Sequence, residues 1–131
     1  MNNKINGKGK EYDDDGYLIF EGEYLNGKRH GKGKEYDWNG NLLFEGEYLN
    51  QREWIGTKYD TNGKVIYKLD NDINGKGKEY NFDGKLIFEG EYLNGKRNGK
   101  GKEYQDEGEL VFEGEYLNGK RNGKGKRKRI W

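Results

Sequence analysis

The sequence predicts an all-β protein, an elongated, single-layer antiparallel meander of repeated β-hairpins. Three observations lead to this prediction. The segment FEGEYLNGKRNGKGKEY at residues 88–104 recurs, whole or in part, with a period of 24 residues, which is typical of solenoids and repeat arrays. Within each copy, apolar or aromatic residues alternate with charged residues or glycine, as they do along a β-strand. Asn-Gly pairs follow the alternating runs and are typical of hairpin turns.

Each repeat unit is expected to form one hairpin and the connection to the next. In the first complete unit, residues 18–25 and residues 32–37 both alternate, and Asn26 and Gly27 lie between them. Opposite charges facing each other across a strand pair contribute roughly 0.2–1 kcal/mol. We therefore expect a four-residue loop over residues 26–29, since that length pairs glutamates with lysines, namely Glu21 with Lys34 and Glu23 with Lys32.

One face of the hairpin combines aromatic residues with glycines. In the expected register, Phe20 and Tyr24 share a face with Gly22, Gly31 and Gly33. Glycine weakens a strand unless another group approaches the backbone closely. We therefore expect the rings of the same and neighbouring hairpins to lie over the glycine backbone.

The chain is expected to form a single array over residues 1–131, with eleven strands in sequence order. A half unit at residues 2–12 opens the array. The five further units span about residues 18–36, 42–59, 64–80, 86–104 and 110–131. The strands themselves are expected at residues 8–12, 18–25, 32–37, 42–49, 55–59, 64–69, 76–81, 86–93, 100–105, 110–117 and 124–129.

The second and third complete units depart from the repeat. Residues 51–55 read QREWI in place of a Gly-Lys-Arg loop, and the loop at residues 70–73 is shortened. Such departures mark either decay or specialisation. Tryptophan and arginine are the types most enriched among residues that dominate binding energy, so the partner-binding candidates are Trp38, Arg52 and Trp54. The alternative is that Trp54 is buried and fills the gap left by the shortened loops.

Composition argues against an enzyme. The chain has no cysteine or serine, and threonine occurs only at Thr57 and Thr61, so the usual thiol and hydroxyl nucleophiles are nearly absent. Without cysteine, thiolate zinc sites cannot form. The single histidine, His30, lies in a turn that the repeat pattern already explains. We expect no catalytic residue, no metal ligand and no cofactor.

Charge is unevenly distributed, although the net charge is only +1. Residues 1–115 carry 24 acidic and 18 basic residues, a net −6, whereas residues 116–131 carry seven basic and no acidic residues, a net +7. Basic residues beside an interfacial tryptophan can bind an anionic membrane surface. The anion-binding candidates are Lys124, Lys126, Arg127, Lys128, Arg129 and Trp131.

The same basic segment has a second interpretation. Lys124 to Arg129 can form a last edge strand whose charges discourage end-to-end sheet pairing. Nucleic-acid binding is disfavoured under either interpretation, because the acidic remainder of the chain would repel a phosphate backbone.

Seven residues at fixed spacing resemble a known family. They are Phe20, Gly22, Tyr24, Gly27, His30, Gly31 and Gly33. Their spacing resembles the MORN repeat, the "membrane occupation and recognition nexus" hairpin. The period of 24 is slightly longer than the usual unit of that family, and the motif histidine is replaced by Asn98 and Asn122 in later units. A role for His30 is therefore not expected to extend along the chain.

The resemblance implies a non-enzymatic interaction scaffold, since MORN arrays commonly dimerise or position other domains. We expect a protein partner, or a second copy of the chain, to bind the aromatic and glycine face. Two alternatives stay open: binding of anionic phospholipid through the basic C-terminal segment, and an antitoxin or immunity role, since MORN-like repeats with variant periods are similar to some bacterial antitoxins. The expected location is cytoplasmic, with or without peripheral membrane contact, because no transmembrane-length apolar run or signal-peptide core is found.

Overall fold

The computed structural model describes residues 5–105 and 107–126, without the side chains of Lys124 and Lys126. These residues form eleven strands and no helix. The strands are β1 (Gly7–Tyr12), β2 (Leu18–Leu25), β3 (Lys28–Tyr36), β4 (Leu42–Leu49), β5 (Arg52–Tyr59), β6 (Val65–Asp70), β7 (Lys76–Tyr80), β8 (Leu86–Leu93), β9 (Lys96–Tyr104), β10 (Leu110–Leu117) and β11 (Lys120–Lys126).

The strands form two open antiparallel sheets in sequence order. The first sheet contains β1 to β6 and the second contains β7 to β11. They correspond to two compact units, Met1–Leu69 and Asp70–Trp131. The predicted all-β hairpin meander is confirmed, but the hydrogen-bonded ladder is divided between β6 and β7 instead of running through all eleven strands. That both units act as one array stays a prediction.

A shortened connection accounts for the division of the ladder. Asn71 occupies the position that Tyr24 has in the first complete unit, and the loop that should follow is three residues shorter. The buried Asn71 amide binds the backbone of Lys78 twice: Oδ1 accepts from the backbone N at 2.7 Å, and Nδ2 donates to the backbone O at 3.0 Å. A side chain thus satisfies backbone groups of β7 that a neighbouring strand would otherwise satisfy.

Each regular hairpin turns through two residues, so the expected four-residue loop is wrong. Asn26 and Gly27 have φ values of 53° and 80°, and Leu25 pairs with Lys28 across the turn. Positive φ at both central residues is the requirement of a type I′ turn, and Asn-Gly is the pair that meets it most readily. The strand β3 therefore begins at Lys28 and not at residue 32.

A bulge in the second strand of the hairpin then adds two residues. Between the cross-strand pairs Tyr24–Arg29 and Gly22–Gly33, three residues of β3 lie opposite the single residue Glu23. The same shift recurs between β8 and β9 and between β10 and β11. A bulge of this kind bends the strand and increases its twist.

A carboxylate stabilises this bulge. Glu23 accepts a hydrogen bond from the backbone N of Lys32 at 2.7 Å, and the equivalent bond recurs in the second sheet. Because of the bulge, Glu21 pairs with Lys34 as predicted. The predicted cross-strand pairing of Glu23 with Lys32 is wrong, since Glu23 faces the bulge and has no one-to-one partner in β3.

The core of each sheet is a row of phenylalanine rings lying on glycine backbone. Phe20 is fully buried, and a Cβ atom placed on Gly33 would lie 2.7 Å from its ring. Tyr24 and Tyr48 meet the same ring edge to face, with centroids 5.6 and 5.2 Å away, an arrangement that favours aromatic packing. The expected placement of rings over glycines is confirmed.

The motif histidine position closes the turn of the following hairpin. Nδ1 of His30 accepts a hydrogen bond from the backbone N of Asn50 at 3.2 Å. Asn6 and Asn74 accept the same bond from the next turn through Oδ1, at 2.9 and 2.8 Å. Histidine and asparagine therefore accept the same hydrogen bond at this position. The expectation that the role of His30 would not extend along the chain is wrong.

Replacing His30 with asparagine is expected to leave the free energy of unfolding nearly unchanged, whereas His30→Ala is expected to lower it by about 1 kcal/mol. Asparagine keeps an acceptor for the Asn50 amide and alanine removes it. Urea denaturation of the two variants measures the difference. Equal stability of both variants would contradict this role.

Candidate interaction surface

A layer of charged side chains covers the phenylalanine row. In the first sheet the Arg29 guanidinium lies 4.2 Å above the centroid of Phe20. Its Nε lies 2.7 Å from Oε2 of Glu11, and its Nη1 lies 3.3 Å from Oε1 of Glu35. The hydroxyl of Tyr48 donates a 2.5 Å hydrogen bond to Glu35. One arginine thus links two strands of neighbouring hairpins while stacking on the ring between them.

The same charged layer recurs in the second sheet. Arg97 lies 4.1 Å above Phe88, with its Nε 2.9 Å from Glu79 and its Nη1 3.7 Å from Glu103. The next arginine of the charged layer follows the same pattern: Arg121 lies 4.4 Å above Phe112 and 2.9 Å from Glu103.

The aromatic and glycine face is therefore a closed core and not an exposed contact face, which corrects the expectation that a partner binds there. Phe20, Phe44, Phe88 and Phe112 are fully buried, and the motif tyrosines are buried beside them. The groups of this face that contact solvent are guanidinium, carboxylate and phenol groups, and these already bind one another.

Sequence reasoning missed this charged layer, although the sequence contains a signal for it. Each of these arginines binds a glutamate 18 residues earlier, and the separation is the same in three hairpins: Glu11 with Arg29, Glu79 with Arg97 and Glu103 with Arg121. A charge pair repeated at a constant separation in a repeat array indicates a structural contact between neighbouring units.

The second complete unit inverts the charge pair that Arg29 and Glu35 form within β3. Glu53 occupies the position of Arg29, and Lys58 occupies the position of Glu35. Nζ of Lys58 lies 2.9 Å from Glu53, and both side chains are largely buried. Tyr67 donates to Glu53 at 2.7 Å. The exchange keeps the pair neutral, which a buried ion pair requires.

Burial raises the pKa of several tyrosines, and hydrogen bonds to glutamates add to the effect. The pKa of Tyr36 rises to about 12, through burial and its bond to Glu21. The pKa values of Tyr24, Tyr48, Tyr67 and Tyr116 rise still further for the same two reasons. In each case the neutral phenol donates to a carboxylate, and the phenolate cannot.

Stability is expected to fall as the pH rises above about 10. An unfolded tyrosine titrates near pH 10, and the folded phenols titrate higher. The folded state therefore gains stability from them that is fully present below about pH 10 and is lost as the pH passes through their folded pKa values. Urea denaturation at several pH values, with absorbance at about 295 nm as a measure of phenolate, tests this. Titration of all tyrosines near pH 10 in the folded chain would contradict it.

The three predicted partner-binding residues do not form one surface. Trp54 is only 2% exposed, so the alternative of a buried ring holds, and the Arg52 guanidinium lies 5.2 Å from that ring. Trp38 is 65% exposed. Trp38 precedes the eight-residue strand β4, and Arg52 follows the same strand. At roughly 3.3 Å per residue, Trp38 and Arg52 are therefore about 26 Å apart.

Trp38 lies on what we call the turn rim, the edge of a sheet where its inter-hairpin turns lie. In the first sheet the turn rim consists of residues 13–16, 37–40 and 60–63. Each turn is closed by the same 3.0 Å bond from a glycine N to an aspartate O three residues earlier. The aspartate carboxylate also accepts backbone N–H bonds, as Asp37 does from Asn39 and Asn41.

These turns do not need an aromatic residue. The position of Trp38 is occupied by Asp14 and Thr61 in the other two turns of the rim, and the closing bond is 3.0 Å in all three. In the second sheet the corresponding residue is Phe82, which is 91% exposed. Two exposed rings therefore occupy a position that polar residues fill elsewhere without any change in the turn.

The predicted anion-binding residues lie outside the described part of the structure. The side chains of Lys124 and Lys126 and residues 127–131 are not described, so their role stays a prediction. The backbone of β11 extends to Lys126, in agreement with a last strand near that position.

Within residues 5–105 and 107–126, no group of three or more histidine, aspartate or glutamate side chains is placed to hold a metal ion. The described part of the chain also has no helix long and apolar enough to cross a membrane.

The family model for the MORN repeat matches residues 1–16, 20–41, 88–109 and 112–129, together more than half of the chain. The chain belongs to the MORN repeat family. A model for a MORN repeat variant matches residues 73–94. The matched MORN segments leave out residues 42–72, where the charge pair is inverted and the ladder ends. No curated protein matches the chain. MORN repeats are in general non-catalytic modules that act in interactions or at membranes.

Proposed function

We propose that this MORN repeat protein is a non-enzymatic scaffold that binds a protein partner through the turn rims of its sheets. The observation that carries the proposal is the exposure of Trp38 and Phe82 at equivalent turn positions. Tryptophan is among the residue types most enriched where binding energy is concentrated in interfaces.

The charged layer supports the same proposal. Phe20, Phe88 and Phe112 are packed between glycine backbone and an arginine, and Phe44 is also fully buried. Each sheet therefore has its own core and does not require a partner to cover it. The ion pairs and tyrosine bonds also fix the side chains around each ring. A sheet of this kind is a rigid platform from which turn residues can project with little conformational freedom to lose on binding.

Partner capture by matched variants tests the proposal. The double variant Trp38→Thr, Phe82→Thr replaces each ring with the residue that Thr61 supplies in a sister turn, so the fold is expected to persist. The control Leu25→Thr, Leu93→Thr removes two half-exposed apolar side chains from the opposite edge of the sheets. Tagged chains are used to capture proteins from the source cell, with quantification by mass spectrometry.

We expect the wild-type chain and the control to retain the same partner, and the Trp38, Phe82 variant to lose at least about tenfold of the capture, which corresponds to about 1.4 kcal/mol. Circular dichroism shows that the variants remain folded. Equal capture by the Trp38, Phe82 variant would rule out the turn rims as the binding surface.

Membrane binding is the second candidate function, favoured by the net +7 of residues 116–131. Each lysine or arginine near an anionic surface contributes about 1 kcal/mol. The test for this candidate is co-sedimentation with anionic vesicles, which is included in the experiment below.

A further inference from the structure

We infer that the turn rim of the first sheet binds the basic residues 127–131 of a second copy of the chain, which joins copies head to tail. The inference rests on the turn-rim binding proposed above and names one partner for it. The exposed ring of Trp38, the charges around it, and the length and charge of the segment support this partner.

The charges around Trp38 select a cationic occupant. The turn segments 13–16, 37–40 and 60–63 contain no lysine, arginine or histidine, and they carry five aspartates: Asp13, Asp14, Asp15, Asp37 and Asp60. Trp38 lies in the middle turn. An exposed indole face accepts a guanidinium or ammonium group, and carboxylates on both sides strengthen the local negative potential.

The segment has the matching charge. Residues 127–131 read RKRIW, so three of five side chains are cationic and the other two are apolar. The remainder of the chain up to residue 115 carries a net −6. The most basic stretch of the sequence and the most acidic rim of the structure are therefore complementary.

The dimensions agree as well. Successive turns of the rim are two strands apart, about 10 Å, so the three turns of the first sheet span about 19 Å. Five extended residues span about 17 Å. The segment is therefore long enough to follow the rim across two successive turns and to place a side chain beside Trp38 in the middle turn.

Concentration distinguishes a second copy from the same chain, because association between copies depends on protein concentration and a contact within one chain does not.

Sedimentation velocity of the full chain tests the inference. We expect concentration-dependent association at low salt that weakens strongly at about 0.5 M salt, because exposed charge pairs are screened. The chain ending at Lys126 should stay monomeric. Trp38→Thr and the double variant Asp14→Asn, Asp15→Asn should each weaken association at least about fivefold. Asp13 is left unchanged because its carboxylate holds the turn. Leu93→Thr, at a half-exposed position on the opposite edge of the second sheet, is the control and should associate like the wild type.

A charge exchange keeps the test informative if a variant folds poorly. Asp14→Lys, Asp15→Lys should abolish association with the wild-type segment, and Arg127→Glu, Lys128→Glu, Arg129→Glu in a mixed second chain should restore it. Association that persists in the chain ending at Lys126, or that is unaffected by Trp38→Thr, would overturn the inference.

Vesicles containing about 30% anionic lipid provide a further arm. A full chain that stays monomeric and sediments with these vesicles through residues 127–131 would show that the segment serves a membrane, which overturns the inference. If the chain is monomeric but Trp38-dependent capture of another protein is observed, the inference fails and the proposed function stands. If copies associate as described but no other protein is captured through the rims, the inference stands and the wider scaffold proposal fails.

Discussion

Replacing Phe88 with alanine is expected to lower the free energy of unfolding of the second unit by about 3–5 kcal/mol. The ring is fully buried, meets Tyr92 and Tyr116 edge to face, and lies beneath the Arg97 guanidinium. Its loss leaves a cavity between glycine backbone and a charged layer that cannot collapse onto it. In a unit of this size, a loss of 1 kcal/mol lowers the melting temperature by about 4–8 °C, so calorimetry should show a shift of at least 12 °C, a figure on the order of three such losses.

The matched control for this change is Leu93→Ala in the same strand. Leu93 is half exposed, and substitutions at such positions usually change stability by no more than about 0.5 kcal/mol. A Phe88→Ala variant that melts with the Leu93→Ala variant would show that the ring is not part of a core.

Replacing Gly90 with alanine is expected to destabilise the second unit by about 3 kcal/mol, at the upper end of the usual cost of overpacking. Gly90 lies directly opposite Gly101. An added Cβ atom would lie 2.5 Å from the carbonyl oxygen of Lys100, 2.7 Å from the Cα of Gly101 and 2.9 Å from the ring of Phe88. Two of these three atoms belong to the backbone, so the strands themselves must separate to make room.

Gly108→Ala separates this steric cost from the cost of backbone conformation. Gly108 has a φ of 85° and no atom within 4 Å of an added Cβ, so alanine there costs only the strain of the left-handed region, about 1–2 kcal/mol. Urea denaturation of both variants provides the comparison. If Gly90→Ala is no more costly than Gly108→Ala, the close approach of β8 and β9 is not as described.

The sequence predicts the first strand of each hairpin better than the second. Residues 18–25, 42–49, 86–93 and 110–117 agree at both ends with the observed strands. The second strands of the regular hairpins begin four residues earlier than expected. The four-residue loop was expected from charge pairing alone. The backbone preference of Asn-Gly for a type I′ turn instead determines the turn. A bulge further along the strand then restores the charge pairing.

The contact of rings with glycines can be predicted from the alternation of residue types along each strand, but the groups that cover the rings cannot. The Arg29 layer depends on contacts among four strands, and the position of its guanidinium is not a property of any one of them. The sequence leaves the burial of Trp54 open between two alternatives, because it depends on a local register shift between β4 and β5. Trp38 could be placed from sequence, since a turn position that accepts aspartate or threonine faces solvent.

The inverted pair of Glu53 and Lys58 has a consequence for the history of the gene. Nearly identical units can be gained or lost by unequal recombination, because each arginine and glutamate fits any neighbour of the same kind. The inverted unit does not share this freedom: Lys58 stands where a neighbouring arginine would require a glutamate, and Glu53 depends on the hydroxyl of Tyr67. A regular unit placed directly after it would bring its arginine beside Lys58, two cations in a largely buried layer. We therefore expect related lineages to differ in the number of regular units while keeping one copy of the inverted unit at a fixed place in the order.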